Sequence, residues 1–457
     1  MTETVSISAE KNFNLGILAK EAGIALVIEF AGIILTYLVQ VFLARWMGTT
    51  EYGIYEYVIA WSVLLAIPAG LGLPYAVLRF ASEYRVKEEW GLLQGIVRSS
   101  WLITILASFL VSLLAAGVIL LLNYYHNFAY ATPLLIGIGL IPLKSLVSLQ
   151  CQTAIAAKDI TLAFAPSRII WPVLLLCGGF LVLETGHFLT GISAVAIAEI
   201  TLLVAILFQL GLLLLKLKKE FVASKPVYAI REWLGVALIM LLQSGCYIIF
   251  FQTDKIMVGL ILGAESAGMY AAAVNTALWV TFVLVTINII VAPSFTALYT
   301  KGYIEDLQKL VSTVGLWIFW PTVAISLFLF VFSQPVLGVF GSEFVAASWQ
   351  LKILVLGEFL NTLGGSVAVL MVMTGHQKKS VVVYVYVAVI NIVLNAIGIP
   401  LMGAVGAALA TAFTLVLWKI WLSFLAVKYV GVNPFTLRGL FQRDVSKSKI
   451  ESSLIDN

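Results

Sequence analysis

Charged side chains set inside long apolar runs are the residues of this chain best able to do chemistry. Three are cations, Lys144, Arg168 and Lys255, and three are carboxylates, Glu29, Glu199 and Asp254. A charge at the centre of a membrane helix costs about 2.5–3.5 kcal/mol by insertion scales, so each must face a wet cavity or a partner. Fixed cations in a wet cleft would hold an anion such as a phosphate. Carboxylates there would take up H+ or bind Na+.

Arg168 lies about eight residues into its apolar run, hence about 12 Å deep at roughly 1.5 Å per residue. It keeps its charge at any ordinary pH, and snorkelling from that depth is strained, so it points to a cavity. Lys255 lies at similar depth from the opposite face. Asp254 precedes it and points about 100° away around the helix, so the two need not pair. Cavity function and inter-helix bonding both stay open for Lys255 and Asp254, and for Glu199 near the middle of its run. Lys144 and Lys419 lie near enough to a helix end for snorkelling. Lys352 and Glu358 open an apolar run, which suits an interfacial position. Asn391 and Asn395, four apart, share one helix face and could line a cavity or bond between helices.

Other chemistries lack their residues. The sequence carries no G-x-S-x-G, Walker A or H-E-x-x-H pattern. Cys151, Cys177 and Cys246 are odd in number and form no CxxC or Cys/His pattern, which argues against a disulfide framework or a zinc site. His126, His187 and His376 are isolated and read as surface residues. We therefore expect no catalytic residues, no metal and no cofactor.

The elements that position these residues follow from composition. Hydrophobic residues make up 61% of the 457 and charged residues 11%, and mean hydropathy is +1.05. A soluble domain carries roughly 25% charged residues. Spans of about 20 apolar residues cross roughly 30 Å of hydrocarbon, and twelve such spans are predicted. They cover approximately 22–44, 54–74, 97–122, 130–151, 160–183, 189–215, 232–262, 266–292, 311–333, 350–373, 380–400 and 403–427. The start of the chain shows no cleavable signal pattern, and residues 11–19 alternate as an interfacial helix would. Most of the 27 Lys and Arg fall in alternate loops and the two termini, which places both termini in the cytoplasm. The net charge of +4 forms no nucleic-acid patch.

A turn repeats at close to half the chain length. Gly48-x4-Gly53-x-Tyr55 returns as Gly263-x4-Gly268-x-Tyr270, which implies two similar halves. The polar stretch 216–231 separates them. The expected organisation is an N-terminal six-helix lobe with its interfacial segment over 1–220, a C-terminal six-helix lobe over 221–430, and a cytoplasmic tail over 431–457.

Four stretches resemble a known family. LARWMGTTEYGIYEYVIAW (43–61) and GLGLPYAVLRFASEY (70–84) resemble the opening of prokaryotic polysaccharide transporters, the oligosaccharide flippases. DKIMVGLILGAESAGMYAAA (254–273) and INIVLNAIGIPLMGAVGAALATA (390–412) resemble later parts of the same proteins. These belong to the multidrug/oligosaccharidyl-lipid/polysaccharide exporter superfamily. The resemblance implies an all-α integral membrane protein, with two pseudo-symmetric six-helix lobes around a central cavity, working by alternating access in the plasma (inner) membrane. It implies a flippase moving a polyprenyl-phosphate- or pyrophosphate-linked oligosaccharide, with the phosphate on cavity cations. Arg168, Lys255 and Lys144 are placed in that role from their depth, with Asn391 and Asn395 as candidate sugar partners. Asp254 falls on an acid of the family's seventh helix. With Glu199 and Glu29 it is a candidate for coupling to H+ or Na+. Expected partners are the lipid-linked oligosaccharide, membrane lipids and other polysaccharide-assembly proteins.

Two other readings compete. A cation-coupled drug or metabolite exporter of the same superfamily would depend on the carboxylates rather than on Arg168. A membrane enzyme would need a large polar loop or a His/Asp pair near the interface, and the external loops here are short.

Overall fold

The computed structural model describes residues 15–220 and 225–435. Of the predicted interfacial segment at 11–19, residues 15–19 open a long helix and the rest lies outside the described residues, as does the predicted tail beyond residue 435. Among the described residues there is no strand. Ten helices are long and apolar enough to cross a membrane, or eleven when the bent pair Ser342–Thr362 and Val367–Met373 is taken as one span.

The chain opens with α1 (Leu15–Gly70), followed by α2 (Leu73–Val86) and α3 (Trp90–His126). α1 has 56 residues, far more than one crossing needs; it contains the predicted span 22–44 and most of 54–74, whose last residues pass the break at 71–72 into α2. Gly48 divides it, with φ 74° and ψ 179°, a backbone state that only glycine adopts readily. The strand-like kink turns the chain back into the bundle. Leu71 and Gly72 break the helix again, both at positive φ, before α2 continues.

α4 (Ala131–Ile136) and α5 (Leu140–Ala156) run in line through a short 3-10 turn. α6 (Ile160–Ala165) and α7 (Trp171–Glu184) are joined by a π-turn over Pro166–Ile170. Asp159 caps α6 by accepting the Leu162 N–H at 3.0 Å, and it pairs with Lys216 at 2.8 Å. That pair ties α6 to α8 (Gly191–Glu220).

The second half repeats the pattern. α9 (Ile230–Leu262) ends at Gly263, whose φ of 88° and ψ of 178° match Gly48. α10 (Ala264–Ala277) and α11 (Phe282–Thr300) follow, broken at 278–281. Then come α12 (Ile304–Val331), α13 (Ser333–Gly338), α14 (Ser348–Thr362), α15 (Val367–Met373), α16 (Gln377–Met402) and α17 (Ala404–Val430).

The halves meet where the repeated motifs cross. Gly53 of α1 lies directly on the Ala264 carbonyl and the Gly268 N–H of α10, and Gly268 lies on the Thr49 carbonyl. A methyl group at either position would overlap backbone atoms. Without a hydrophobic driving force between helices in lipid, such close approach of backbones is what holds them. Tyr130 adds a cross-half hydrogen bond, its hydroxyl donating to the Gly259 carbonyl at 2.9 Å. Thr49 donates to the Glu343 carboxylate at 3.2 Å. All of these sit at the end of the bundle marked by Gly48 and Gly263.

Contact at the other end, marked by Lys87 and Lys301, is one-sided. There Gly72 of α2 rests on the Ala237 carbonyl of α9. On the opposite side α1 hugs α10 but touches α11 sparsely, with the Phe30 and Phe282 ring centroids 5.3 Å apart.

Gly53→Val and Gly268→Val should therefore lower the melting temperature sharply in detergent, since overpacking typically costs about 1–3 kcal/mol and backbone cannot move aside as a side chain can. Gly117→Ala, in open space on α3, should melt like the wild type. Size-exclusion thermal-shift measurements on the full chain compare the three.

Candidate functional site

Two cavities lie between the halves. The first, of about 630 Å³, is lined by Arg168, Glu358, Asn361 and Lys419 among polar residues and by Trp279 and Trp418 among aromatics. The second, of about 650 Å³, contains Lys144, Ser145, Ser148 and Gln377. They abut at Tyr247, Ile248 and Tyr384, which line both. Gln377, the first residue of α16, marks the Lys87 end of this space, and Asn275 marks the Gly48 end.

Arg168 sits in the π-turn between α6 and α7, an irregularity that often marks functional positions. Its Cβ lies so close to Gly32 of α1 that no side chain fits between them. Its guanidinium Nε is 3.3 Å from the Glu29 carboxylate, three residues before Gly32. Glu29 therefore serves as counter-ion to the cavity arginine. The arginine side chain remains half exposed, so the pair leaves it free donors.

Lys419 is the second cavity cation. Its stem lies over Gly364, at the break between α14 and α15. It lines the same cavity as Glu358, whose carboxylate accepts from the Asn361 amide at 3.1 Å. Both residues are buried, at 3% and 5% exposure. The interfacial position expected for Glu358 and the snorkelling expected for Lys419 thus give way to a buried site. α14 begins at Ser348, so Glu358 lies well inside the helix rather than at its opening, and its carboxylate meets Asn361 and the cavity. Lys352 does stay peripheral, its ammonium 4.9 Å from the Trp349 ring centroid.

Lys144 lines the second cavity, with its ammonium 5.4 Å from the Trp171 ring centroid. Lys255 lies above both cavities. Its ammonium donates to Asn275 Oδ1 at 2.8 Å and to Glu56 Oε2 at 3.2 Å. Glu56 also accepts from Tyr52 at 3.4 Å. Asp254 indeed faces elsewhere. Its carboxylate accepts from Tyr270 at 2.9 Å, from Thr411 at 3.1 Å and from the Lys255 N–H at 2.8 Å.

The remaining candidates lie outside the cavity linings. Asn391 and Asn395 are fully buried. Asn391 donates to Thr414 of α17 at 3.0 Å, and Asn395 donates to the Asn391 side chain at 3.1 Å. In this conformation they fasten α16 to α17. Glu199 of α8 packs its carboxylate against Gly139 at the break between α4 and α5.

Sequence reasoning missed Glu56 altogether. Its signal was available: it sits inside a predicted span, eight residues after Gly48 as Lys255 sits eight before Gly263. It also missed the aromatic walls, for which no spacing signal exists in an apolar helix.

The sequence matches the model of a family described as polysaccharide biosynthesis protein over residues 18–299. The chain belongs to this family. The probable low-salt glycan biosynthesis flippase Agl15 of Haloferax volcanii is 26% identical over 386 residues, covering 82% of this chain and 76% of the relative. Among solved structures, lipid II flippase MurJ in an inward closed conformation superposes with a TM-score of 0.67 at 16% identity, covering 92% of each chain. An inward-facing multidrug resistance MATE family transporter of the MOP superfamily also gives 0.67, at 13% identity, covering 93% of this chain and 99% of its own. These likenesses show the fold. The family read from the four sequence stretches is thus correct, and the architecture is shared by transporters of different cargo.

The cavity pair Glu358–Lys419 generates a stability prediction. Lys419→Met or Glu358→Leu alone should destabilise the protein strongly, by about 3–5 kcal/mol, because each strands a buried charge. The double variant Glu358→Leu with Lys419→Met should recover most of the loss. Chemical unfolding of the four proteins in mixed micelles completes the cycle.

Proposed function

We propose that this protein is a flippase that carries a polyprenyl-phosphate- or pyrophosphate-linked oligosaccharide, a polysaccharide precursor, across the plasma membrane by alternating access. The observation that carries this reading is the cavity itself. In a family of polysaccharide biosynthesis proteins, two abutting cavities hold Arg168 and Lys419 in one and Lys144 in the other, among aromatic walls. Cations in a low-dielectric cleft suit a phosphate headgroup. Tyr247, Tyr384, Trp279 and Trp418 offer faces and polar tips for sugar rings. The relative named as a probable glycan biosynthesis flippase and the likeness to a lipid II flippase support the same assignment.

The architecture proposed for this work is twelve crossings in two six-helix lobes, 1–220 and 221–430. Splitting α1 at Gly48 and joining α14 with α15 brings the spans to that number. The lobes pack at the Gly48 end and spread between α1 and α11 at the other. The Lys87 end carries Lys158, Lys216, Lys301, Lys309 and Lys378 in its loops and helix ends, which supports a cytoplasmic assignment for that end and both termini. The conformation is then closed to the outside. Measured from the Lys87 end of each helix, Arg168 is about 12 Å deep, Lys419 about 16 Å and Lys144 about 18 Å at roughly 1.5 Å per residue. Lys255 lies nearer the Gly48 end. The cations form a ladder along which an anion could climb.

The exporter reading would place its coupling carboxylates in the cavity. Of the carboxylates expected to couple, Asp254 and Glu199 line neither space and Glu29 is engaged with Arg168; Glu358, which is not among them, does line the first cavity. Coupling to H+ or Na+ stays a separate proposal, with Asp254 its strongest candidate from burial.

In a strain lacking this gene, lipid-linked oligosaccharide should accumulate on the cytoplasmic leaflet. Wild type should restore polysaccharide export, Arg168→Ala should fail at equal protein level, and Glu199→Gln should succeed. Full rescue by Arg168→Ala together with failure of Glu199→Gln and Asp254→Asn would sink the flippase reading in favour of a cation-coupled exporter.

A further inference from the structure

Glu56 is a buried carboxylate that the carrier reading leaves unused. It belongs to the first half and is 5% exposed, yet its strongest partner is Lys255 of the second half, at 3.2 Å. Lys144 lies on α5, which packs beside α1 of the same half, where the Ser145 hydroxyl donates to the Ala66 carbonyl at 2.8 Å. Among the described residues Lys144 has no ion pair or hydrogen bond of its own, only the Trp171 ring beside it. One carboxylate is thus bonded to a lysine across the seam, while an unbonded lysine of its own half lines the cavity below it.

We propose that Glu56 couples opening of the Gly48 end to the negative charge of the substrate, by exchanging lysine partners with the substrate's phosphate. The inference rests on the carrier reading above.

Opening that end requires the halves to part at Gly53 and Gly268, at Tyr130 and Gly259, and at Glu56 and Lys255. In an empty carrier the last step leaves Lys255 a buried ion without a counter-ion, held only by the neutral Asn275 amide, which is strongly unfavourable. A bound phosphate changes the balance. Lys144 holds it first, being the cavity cation of Glu56's own half that has no carboxylate bonded to it. The phosphate then passes to Lys255, and Glu56 turns to the vacated Lys144. Each lysine keeps one anion throughout, and no ion pair crosses the seam except through the cargo. Asn275 marks the route, because it lines the first cavity and already accepts from Lys255 at 2.8 Å. The direction is outward, since Lys255 is nearer the Gly48 end than Lys144. A neutral lipid cannot replace Glu56 at Lys255, so it cannot release the seam.

Spin labels test the exchange. Phe188 and Leu401 are exposed, at 92% and 77%, in the two halves at the Gly48 end. With Cys151, Cys177 and Cys246 changed to serine, labels at Phe188→Cys and Leu401→Cys report the gap in nanodiscs. Farnesyl diphosphate is the anionic probe and farnesol the neutral control, with tryptophan fluorescence recording binding. In the wild type the diphosphate should shift the labels to longer distances and farnesol should not. Glu56→Gln should show the long distances without any probe. The swapped pair Glu56→Lys with Lys255→Glu retains a bridge but sets two lysines side by side. It should stay short with and without diphosphate, and it tests the idea even if Glu56→Gln folds poorly. Diphosphate binding with a wild-type response in Glu56→Gln, or opening of the swapped pair by diphosphate, overturns the role of Glu56 alone. A wild type that binds no diphosphate overturns the carrier reading and this inference with it.

Discussion

Gly53 and Gly268 let two helices touch backbone to backbone, and the arrangement of the rest of the molecule depends on that contact. In lipid, apolar side chains gain nothing by leaving one hydrocarbon for another, so close approach and hydrogen bonds must hold helices together. The two glycines supply the approach, and Gly48 and Gly263 supply the turns that bring them face to face. With the halves fastened at one end and along α2 and α9, space is left between them at the other. The cavities are what remains between two bodies that meet over a limited seam.

Charge placement follows from the same geometry. Most charges near the seam have a polar partner, several of them in another element. Lys144 is the exception among the described residues, with only the Trp171 ring beside it. Arg168 has Glu29, Lys255 has Glu56 and Asn275, Asp254 has Tyr270 and Thr411, and Glu358 has Asn361, with Lys419 lining the same cavity. A low-dielectric surrounding makes a satisfied pair firm and an orphan costly. Movement of the halves must therefore hand charges from one partner to another rather than separate them. A carrier of anionic lipid has a use for such a constraint, because its cargo brings the missing charge.

Glycine also decides where cations sit. Arg168 lies over Gly32 and Lys419 over Gly364, each pressed onto a notch where a larger residue would push the chain away. In both cases the counter-ion belongs to the notched helix or its continuation. The cavity cations are thus placed by backbone shape as well as by charge, which keeps their long side chains from sweeping the cavity.

The sequence by itself determined that the chain is built of many apolar membrane helices, that a glycine turn recurs at Gly48 and Gly263, and to which family it belongs. Span length and the need for positive φ at Gly48 and Gly263 are local demands, legible in local residues. It also showed that Asp254 and Lys255 point apart, since helical rotation fixes that angle. Tertiary structure alone decided who meets whom. Glu56 and Lys255 are far apart in the chain, and nothing in either apolar run names the other. Glu358 read as interfacial until its helix docked with that face toward the cavity, and Asn391 and Asn395 could face a cavity or a neighbour until α17 packed against them. The physical reason is that a membrane helix is apolar on its lipid face and on its packed face alike, so periodicity does not reveal its rotation. Only the docking of helices fixes which side of each one sees water, lipid or a partner.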